Sequence, residues 1–280
     1  MTIRSNYLPD TQIEIINPNF ARTQFRHALF DFDGTVSLIR EGWQQVMIPM
    51  MVEILRATPA AEDEATINRV VTDFVTRLTG KQTIYQMIQL ADEVAKRGGR
   101  PLEPLAYKYE YLERLWARIE GRVARLKAGE LDPAELVVPG VIDTLVALQG
   151  RGVTCYLASG TDEPYVIDEA AALGVAKYFD GGIYGALDDY QNFSKKMVID
   201  RILRQHQLPG HELLTFGDGY VEIENTAAVG GLAVGVASNE AERQGIDAWK
   251  RQRLIEAGAA IIIPDFREYE TLLDYLNGRE

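Results

Sequence analysis

Two aspartates, a serine, a third aspartate and a pair of lysines carry the chemistry this chain could do. The first four each follow a short apolar run. Asp31 and Asp33 close the run that begins at His27, Ser159 and Thr161 follow residues 153–158, and Asp218 follows residues 213–216. Short apolar runs of this kind fill strands covered on both faces. A carboxylate inside such a strand would carry a large desolvation cost, so these polar groups belong at strand ends. If the strands are parallel neighbours, all of them point into one crevice at the C-terminal rim of a sheet, where open α/β sheets bind ligands.

Acids one residue apart at such a rim call for a cation. Mg²⁺ takes oxygen ligands, keeps several waters and is usually held by one or two carboxylates together with substrate phosphate, and Asp31 and Asp218 fit that description. Ser159, in an expected Ser-Gly-Thr turn before a helix, offers a hydroxyl and backbone N–H groups to an anion. Lys195 or Lys196 would add positive charge. His27, His206 and His211 form no metal-ligand spacing and are read as structural. Cys155, in mid-strand, is read as a small core residue.

Positioning these groups falls to two kinds of sequence. Residues 1–25 are polar, with a strand-like alternation at Ile13-Glu14-Ile15, and are read as an extra strand or arm. Residues 137–280 alternate strand and helix, with strands expected at 153–158, 213–216, 232–236 and 260–263 and a turn-rich ribbon or two short strands at 179–185. Helices are expected at 164–173, 197–205 and about 240–257, and another closes the chain. The pattern implies an α/β, Rossmann-like, mostly parallel sheet with helices on both faces. Residues 37–136 read instead as an inserted all-α segment of four amphipathic helices, the first interrupted by Pro49, the second closed by Gly80, the third stopped at Gly98-Gly99. The fourth is expected to bury Leu105, Tyr109, Leu112, Trp116, Ile119, Val123 and Leu126. The division is therefore 1–36 with 137–280 as an α/β core domain and 37–136 as a helical cap domain, with joints at 37–41 and 136–140.

Totals narrow the class. At 280 residues the chain can hold one large domain or a core with an insertion. Its net charge of −12 argues against a nucleic-acid or anionic-membrane surface. A single cysteine rules out an internal disulfide framework and suits a reducing compartment. No apolar run approaches the ~20 residues of a membrane span, and the first residues lack the apolar centre of a signal peptide. A cytoplasmic protein, monomeric or a small homo-oligomer, is expected.

Together the motifs resemble those of the haloacid dehalogenase superfamily. Asp31-Phe-Asp-Gly-Thr35 looks like its first motif, Leu157-Ala-Ser159-Gly-Thr its second, Lys195 its third, and Gly217-Asp218-Gly-Tyr-Val-Glu222 its fourth, in the family's order. The resemblance implies that Asp31 attacks phosphorus and carries an aspartyl phosphate, while Asp33 serves as general acid and then base. It implies Mg²⁺ held by Asp31, the Asp33 backbone carbonyl and Asp218, with Glu222 where the family more often has Asp; Glu224 is expected to face solvent. Gly34, Thr35, Ser159, Gly160 and Lys195 would contact the phosphate, and the family's spacing favours Lys195 over Lys196. An insertion after the first motif resembles a helical type-1 cap, whose 79–83 loop would bring Lys81 to the substrate. Asp33 is lacking in the dehalogenases, so within the resemblance its presence favours phosphate-ester hydrolysis or phosphoryl transfer. The resemblance implies a small phosphorylated metabolite as partner, and the leading expectation is a Mg²⁺-dependent phosphatase for a small phosphomonoester, such as a sugar phosphate. A sugar phosphomutase and a non-catalytic phosphometabolite-binding protein are the alternatives.

Overall fold

The computed structural model describes residues 6–20, 22 and 24–278. Its strands and helices run in the order β1 (Glu14–Ile15), β2 (His27–Phe30), α1 (Gln44–Arg56), α2 (Glu64–Leu78), α3 (Thr83–Lys96), α4 (Pro104–Lys127), α5 (Val141–Gly150), β3 (Thr154–Asp162), α6 (Glu163–Ala172), β4 (Gly182–Ala186), α7 (Lys195–His206), β5 (Leu213–Gly217), α8 (Tyr220–Ala228), β6 (Leu232–Val236), α9 (Ala248–Glu256), β7 (Ile261–Ile263) and α10 (Tyr269–Leu276). The strands form one sheet in the order β1-β7-β6-β5-β2-β3-β4, parallel throughout except for β1, which pairs antiparallel with β7. β1 is the extra strand expected from Ile13-Glu14-Ile15; the rest of that expectation falls partly on residues 1–5, 21 and 23, outside the described residues.

Successive side chains of each strand turn to opposite faces, and every residue of β2, β5, β6 and β7 is buried, as a sheet covered on both faces requires. Ala28 and Phe30 of β2, Cys155 and Leu157 of β3, and Leu214 and Phe216 of β5 pack with Leu145 and Leu148 of α5 and Leu272 and Leu273 of α10. Leu29, Tyr156 and Ala158 turn the other way, onto Val198, Ile199 and Ile202 of α7, and Ala233 and Ile262 meet Ile223 of α8 and Leu254 of α9. Cys155 is a core residue, its thiol pushed up to about 12 by burial. In the middle of the sheet Phe30 stands level with Leu157 on one side and Phe216 on the other. The C-terminal ends of β2, β3 and β5 therefore share one rim.

The four helices of residues 37–136 bury Met47, Met51, Ile67, Val71, Phe74, Met87, Leu90 and Ile119 together. Gly80 follows α2 with φ +96, a left-handed residue past a helix end, as expected. The chain enters and leaves this segment side by side: Ser37 bridges Val137, the Leu38 N–H donates to Leu136 O at 2.8 Å, and the Val138 N–H to Val36 O at 3.0 Å. Among the described residues no helix is long and apolar enough to cross a membrane.

Four expectations are corrected. In α4 the buried row is Tyr107, Tyr111, Leu115, Ile119, Val123 and Leu126, while Tyr109 and Trp116 are about half exposed. Leu105 and Leu112 still pack against the core from partly buried positions, so only the two aromatics, whose polar tips suit water, lie off the expected face. Residues 159–161 continue β3 through a shift in register rather than forming a turn. Residues 179–185 yield a single strand, β4. The helix expected from 240 starts only at Ala248, capped by Asp247; before it the chain folds back, with Arg243 and Gly245 at positive φ and Ser238 bridging Ile246.

Candidate active site

Asp31 sits one residue past β2, its N–H donating to Phe216 O at 2.9 Å, so the neighbouring strand fixes its place at the rim. Lys195, the first residue of α7, reaches it: Nζ lies 2.8 Å from Asp31 Oδ2 and 2.7 Å from Glu222 Oε2. Lys196 points to solvent and pairs with Asp200 one turn on, so of the two lysines Lys195 is the one at the site. Glu222 lies in the first turn of α8; its Oε1 accepts the Gly219 N–H at 2.8 Å and so closes the helix start, while Oε2 takes Lys195. Glu224 is exposed, as expected. Burial pushes the Asp31 carboxyl well above the usual carboxylate range; Lys195 draws it back, and Glu222 and Asp218 push it further up. Burial would lower Lys195, but Asp31 and Glu222 outweigh it and hold the ammonium above its ordinary value.

Asp218 follows β5 and closes the opposite side. Gly34 passes so near it, at φ +76, that a Cβ would collide with the Asp218 carboxylate; both the close approach and the left-handed backbone require glycine there. Carboxylate oxygens of Asp31, Asp218 and Glu222 lie within 4.8 Å of one another. Lys250 of α9 binds Asp218 Oδ2 at 2.8 Å and Glu240 Oε1 at 2.7 Å. With Glu240, the cluster has four carboxylates against the two ammoniums of Lys195 and Lys250. The donors are all hard oxygens, and the surplus of two negative charges suits a hard divalent cation such as Mg²⁺.

Asp33 projects to a third side. Its Oδ2 accepts from Thr161 Oγ1 at 2.8 Å and Ser159 Oγ at 3.4 Å. Its Oδ1 is buried with no hydrogen-bond partner and lies 3.9 Å from Arg40 Nε. Arg40 is itself buried and bound to Glu169 through Nε at 3.1 Å and Nη2 at 2.7 Å. Burial works against its charge, but Glu169 and Asp33 hold the guanidinium above its ordinary value. The extension of β3 past Ala158 brings both hydroxyls to Asp33. Ser159 does not cap α6, whose first turn is preceded by Asp162.

A cavity of about 100 Å³ joins these groups. Asp31, Asp33, Gly34, Ser159, Gly160, Lys195 and Asp218 line its floor, and 79–81, Thr83 and Tyr111 its roof. Lys81 is on the roof, with an exposed side chain and its Nζ 5.6 Å from the Tyr85 ring; a Cβ on Gly160 would stand 3.0 Å from Lys81 O. Thr35 is not on the wall: it is fully buried beneath it, with Oγ1 unpartnered. Glu222 lies behind Lys195.

The 79–83 loop is held from the sheet side. Gln82 donates to Phe193 O at 2.8 Å and Tyr190 O at 3.2 Å. Arg253 of α9, its guanidinium 4.5 Å from the Tyr220 ring centroid, donates to Thr76 O, to Arg77 O at 2.9 Å and to Thr79 O at 2.8 Å, carbonyls at the C-terminal end of α2. Arg40, Glu169, Gln82, Glu240, Lys250 and Arg253 were not singled out from sequence, because charged residues on amphipathic helices and loops read as solvated until their partners are known.

Comparison with known proteins adds the family. The model of the haloacid dehalogenase-like hydrolases matches residues 25–230. Phosphoglycolate phosphatase of Escherichia coli is 32% identical over 136 residues, which are 48% of this chain and 50% of that one. The chain thus matches about half the length of its curated relatives. Among solved structures, a predicted phosphoglycolate phosphatase from Haemophilus somnus superposes with a TM-score of 0.59 at 16% identity, covering 90% of this chain and all of that one. β-Phosphoglucomutase from Clostridium difficile gives 0.60 at 14%, covering 91% and 98%. At such identities these two likenesses speak for the fold.

Proposed function

The chain belongs to the haloacid dehalogenase-like hydrolase family, and on that premise we propose that it is a Mg²⁺-dependent phosphatase of a small phosphomonoester. The observation that carries this reading is the pairing of Asp31 with Lys195 at 2.8 Å beside an Asp33 carboxylate that still has a free oxygen. One group is set as a nucleophile beside a cation that can hold a phosphoryl oxygen, and the other keeps an acceptor for a proton.

In the proposed reaction an oxygen of Asp31 attacks phosphorus while the bond from phosphorus to the alcohol oxygen breaks. Asp33 gives that oxygen its proton, and the alcohol leaves with Asp31 carrying the phosphoryl group. Asp33, now ionised, takes a proton from water as the water oxygen attacks phosphorus, and phosphate leaves with Asp31 restored. Ser159 and Lys195 hold phosphoryl oxygens as charge moves onto them. Asp31 and Asp218, with the Asp33 carbonyl, would hold Mg²⁺, and Glu222 stands behind them. A bound Mg²⁺ supplies Lewis-acid charge that screens the carboxylate from the phosphate. Burial raises the Asp31 carboxyl, and a cation bound beside it would favour the ionised, nucleophilic form, as Lys195 already does.

The segment 37–136 is read as the cap, with its hinge at the paired residues 36–38 and 136–138 and Lys81 on its substrate side. Phosphoglycolate leads the candidate substrates because the 32%-identical relatives are phosphoglycolate phosphatases; sugar phosphates follow. The phosphatase reading is favoured over a mutase by the charges on the cavity wall. Of the lining cations, Lys195 and Arg40 are already bound to carboxylates, and Lys81 alone is left for a second phosphate.

The test is phosphate release from phosphoglycolate and a panel of sugar phosphates with Mg²⁺. Release from at least one member is expected, abolished by chelation with EDTA and restored by added Mg²⁺. Equal turnover after chelation, or isomer exchange of a sugar phosphate without net phosphate, would overturn the reading.

A further inference from the structure

Lys250 is an unusual neighbour for a cation-binding carboxylate. It lies on α9, far along the chain from Asp31, yet its ammonium is buried at the rim, 2.8 Å from Asp218, 2.7 Å from Glu240 and 3.1 Å from Ser238 Oγ. Ser238 passes the contact on, donating to Gly34 O at 2.6 Å, so the set is built into the loop that carries Asp33 and Gly34. A buried ammonium is held there only by its carboxylates. Its two ion pairs, with Asp218 and Glu240, balance its charge in place. Lys250 therefore puts a fixed positive charge on one oxygen of the same carboxylate that would bind Mg²⁺.

Lys250 and Glu240 also face a second cavity, of about 230 Å³, on the far side of Asp218. Asp247 lines it as well, one turn before Lys250. Asp247 accepts the Lys250 backbone N–H at 2.9 Å, so the ammonium has space, and Glu240 to stay with, when Asp218 turns to a cation.

We infer that Lys250 is an internal counter-ion of Asp218 that competes with the divalent cation, and that Glu240 sets how strongly it competes. Lys250 is a positioning residue here, acting through Asp218 and touching no reacting atom. The inference rests on the proposed cation site at Asp31 and Asp218. A plain anchoring role would be different: removing either Lys250 or Glu240 would then let Asp218 drift, and both losses would weaken cation binding.

The deciding experiment is calorimetric titration of MgCl₂ into the whole protein, without substrate. Lys250→Met removes the competing charge at nearly unchanged volume and is expected to tighten Mg²⁺ binding about tenfold; Glu240→Gln leaves Lys250 unbalanced and is expected to weaken it about tenfold. The double variant should return close to wild type, since the two charges cancel. If Lys250→Met does not fold, as judged by a thermal melt, Lys250→Gln is measured against the same expectation. Unchanged or weaker binding on loss of Lys250, or shifts of one sign in both single variants, overturns the inference while leaving the cation site in place. Absence of Mg²⁺ binding in wild type, or undiminished binding in Asp218→Asn, overturns the cation site and the inference with it.

Discussion

In their N-terminal halves β2 and β3 set His27 beside Tyr156, and at their C-terminal ends they set Asp31 and Asp33 beside Ser159 and Thr161. Both places bury polar groups. At the first, Tyr156 Oη lies 3.0 Å from His27 Nδ1 and 3.0 Å from His206 Nε2, and the two imidazole centroids lie 4.4 Å apart with their planes tilted by 36°. Burial lowers His27, with His206 pushing the same way, and raises the Tyr156 phenol to about 12. His27 and Tyr156 are buried and, with the exposed His206, spend their hydrogen-bonding groups on one another. At the second, carboxylates and ammoniums meet at 2.7–2.8 Å and one Asp33 oxygen is left over. Burial is common to both ends; unspent hydrogen-bonding capacity and charge belong to one. That difference separates a polar cluster that stabilises a strand from one that can act on a ligand.

The comparison breaks most sharply at Asp31. Asp31→Asn is expected to cut phosphatase turnover by about 10⁴- to 10⁶-fold, the scale of losing a nucleophile, and Asp33→Asn by about 10²- to 10⁴-fold, that of losing an acid and base. Steady-state phosphate release measures both, and activity retained in Asp31→Asn would sink the proposed chemistry. Thr161→Val removes the hydroxyl that holds Asp33, and a roughly tenfold fall in kcat is expected with KM little changed. A change in KM alone would place Thr161 in binding instead.

At the other end the signs reverse. Tyr156→Phe is expected to lower stability by about 1–2 kcal/mol in urea unfolding while kcat stays at the wild-type value. A large loss of activity would erase the contrast between the ends. The smallest effect is on pH. His27 faces His206, Glu212, Arg26 and Asp180, and the fold holds its pKa below the ordinary 6.5. The unfolded chain therefore takes up its proton first, so this contribution is complete above 6.5 and fades as pH falls from there toward the lowered native value. His27→Gln should flatten that part of the stability–pH curve, as urea unfolding at a series of pH values below 6.5 would show.

The legible part of the site lay where one local pattern forced one reading. An apolar run broken by Asp31 and Asp33 has few places to go but a strand end, and Asp218 after 213–216 repeats the case. Lys195 and Lys196 looked alike in sequence; the phase of α7, set by Val198, Ile199 and Ile202 packing on the sheet, turns one inward and the other to water. Ser159-Gly-Thr161 contains turn-forming residues, yet β4 pairs with the strand beyond them and carries it on to Asp33. Glu240 and Lys250 were illegible for another reason. Their meaning lies in Asp218 and Gly34, distant in sequence, and a lysine on α9 carries no mark of being buried until the sheet order brings β6 next to β5.

The paired crossing at residues 36–38 and 136–138 has a consequence for how such a chain can change. Seen from the sheet, residues 38–136 are a detour whose two ends already touch, and closing a loop costs free energy that grows only with the logarithm of its length. Segments of quite different size could be grafted between the same two points without rerouting any strand. The rim that carries Asp31, Asp33 and Asp218 and the helical segment above it can therefore diversify separately, one held constant by strand pairing and the other open to replacement as a cassette.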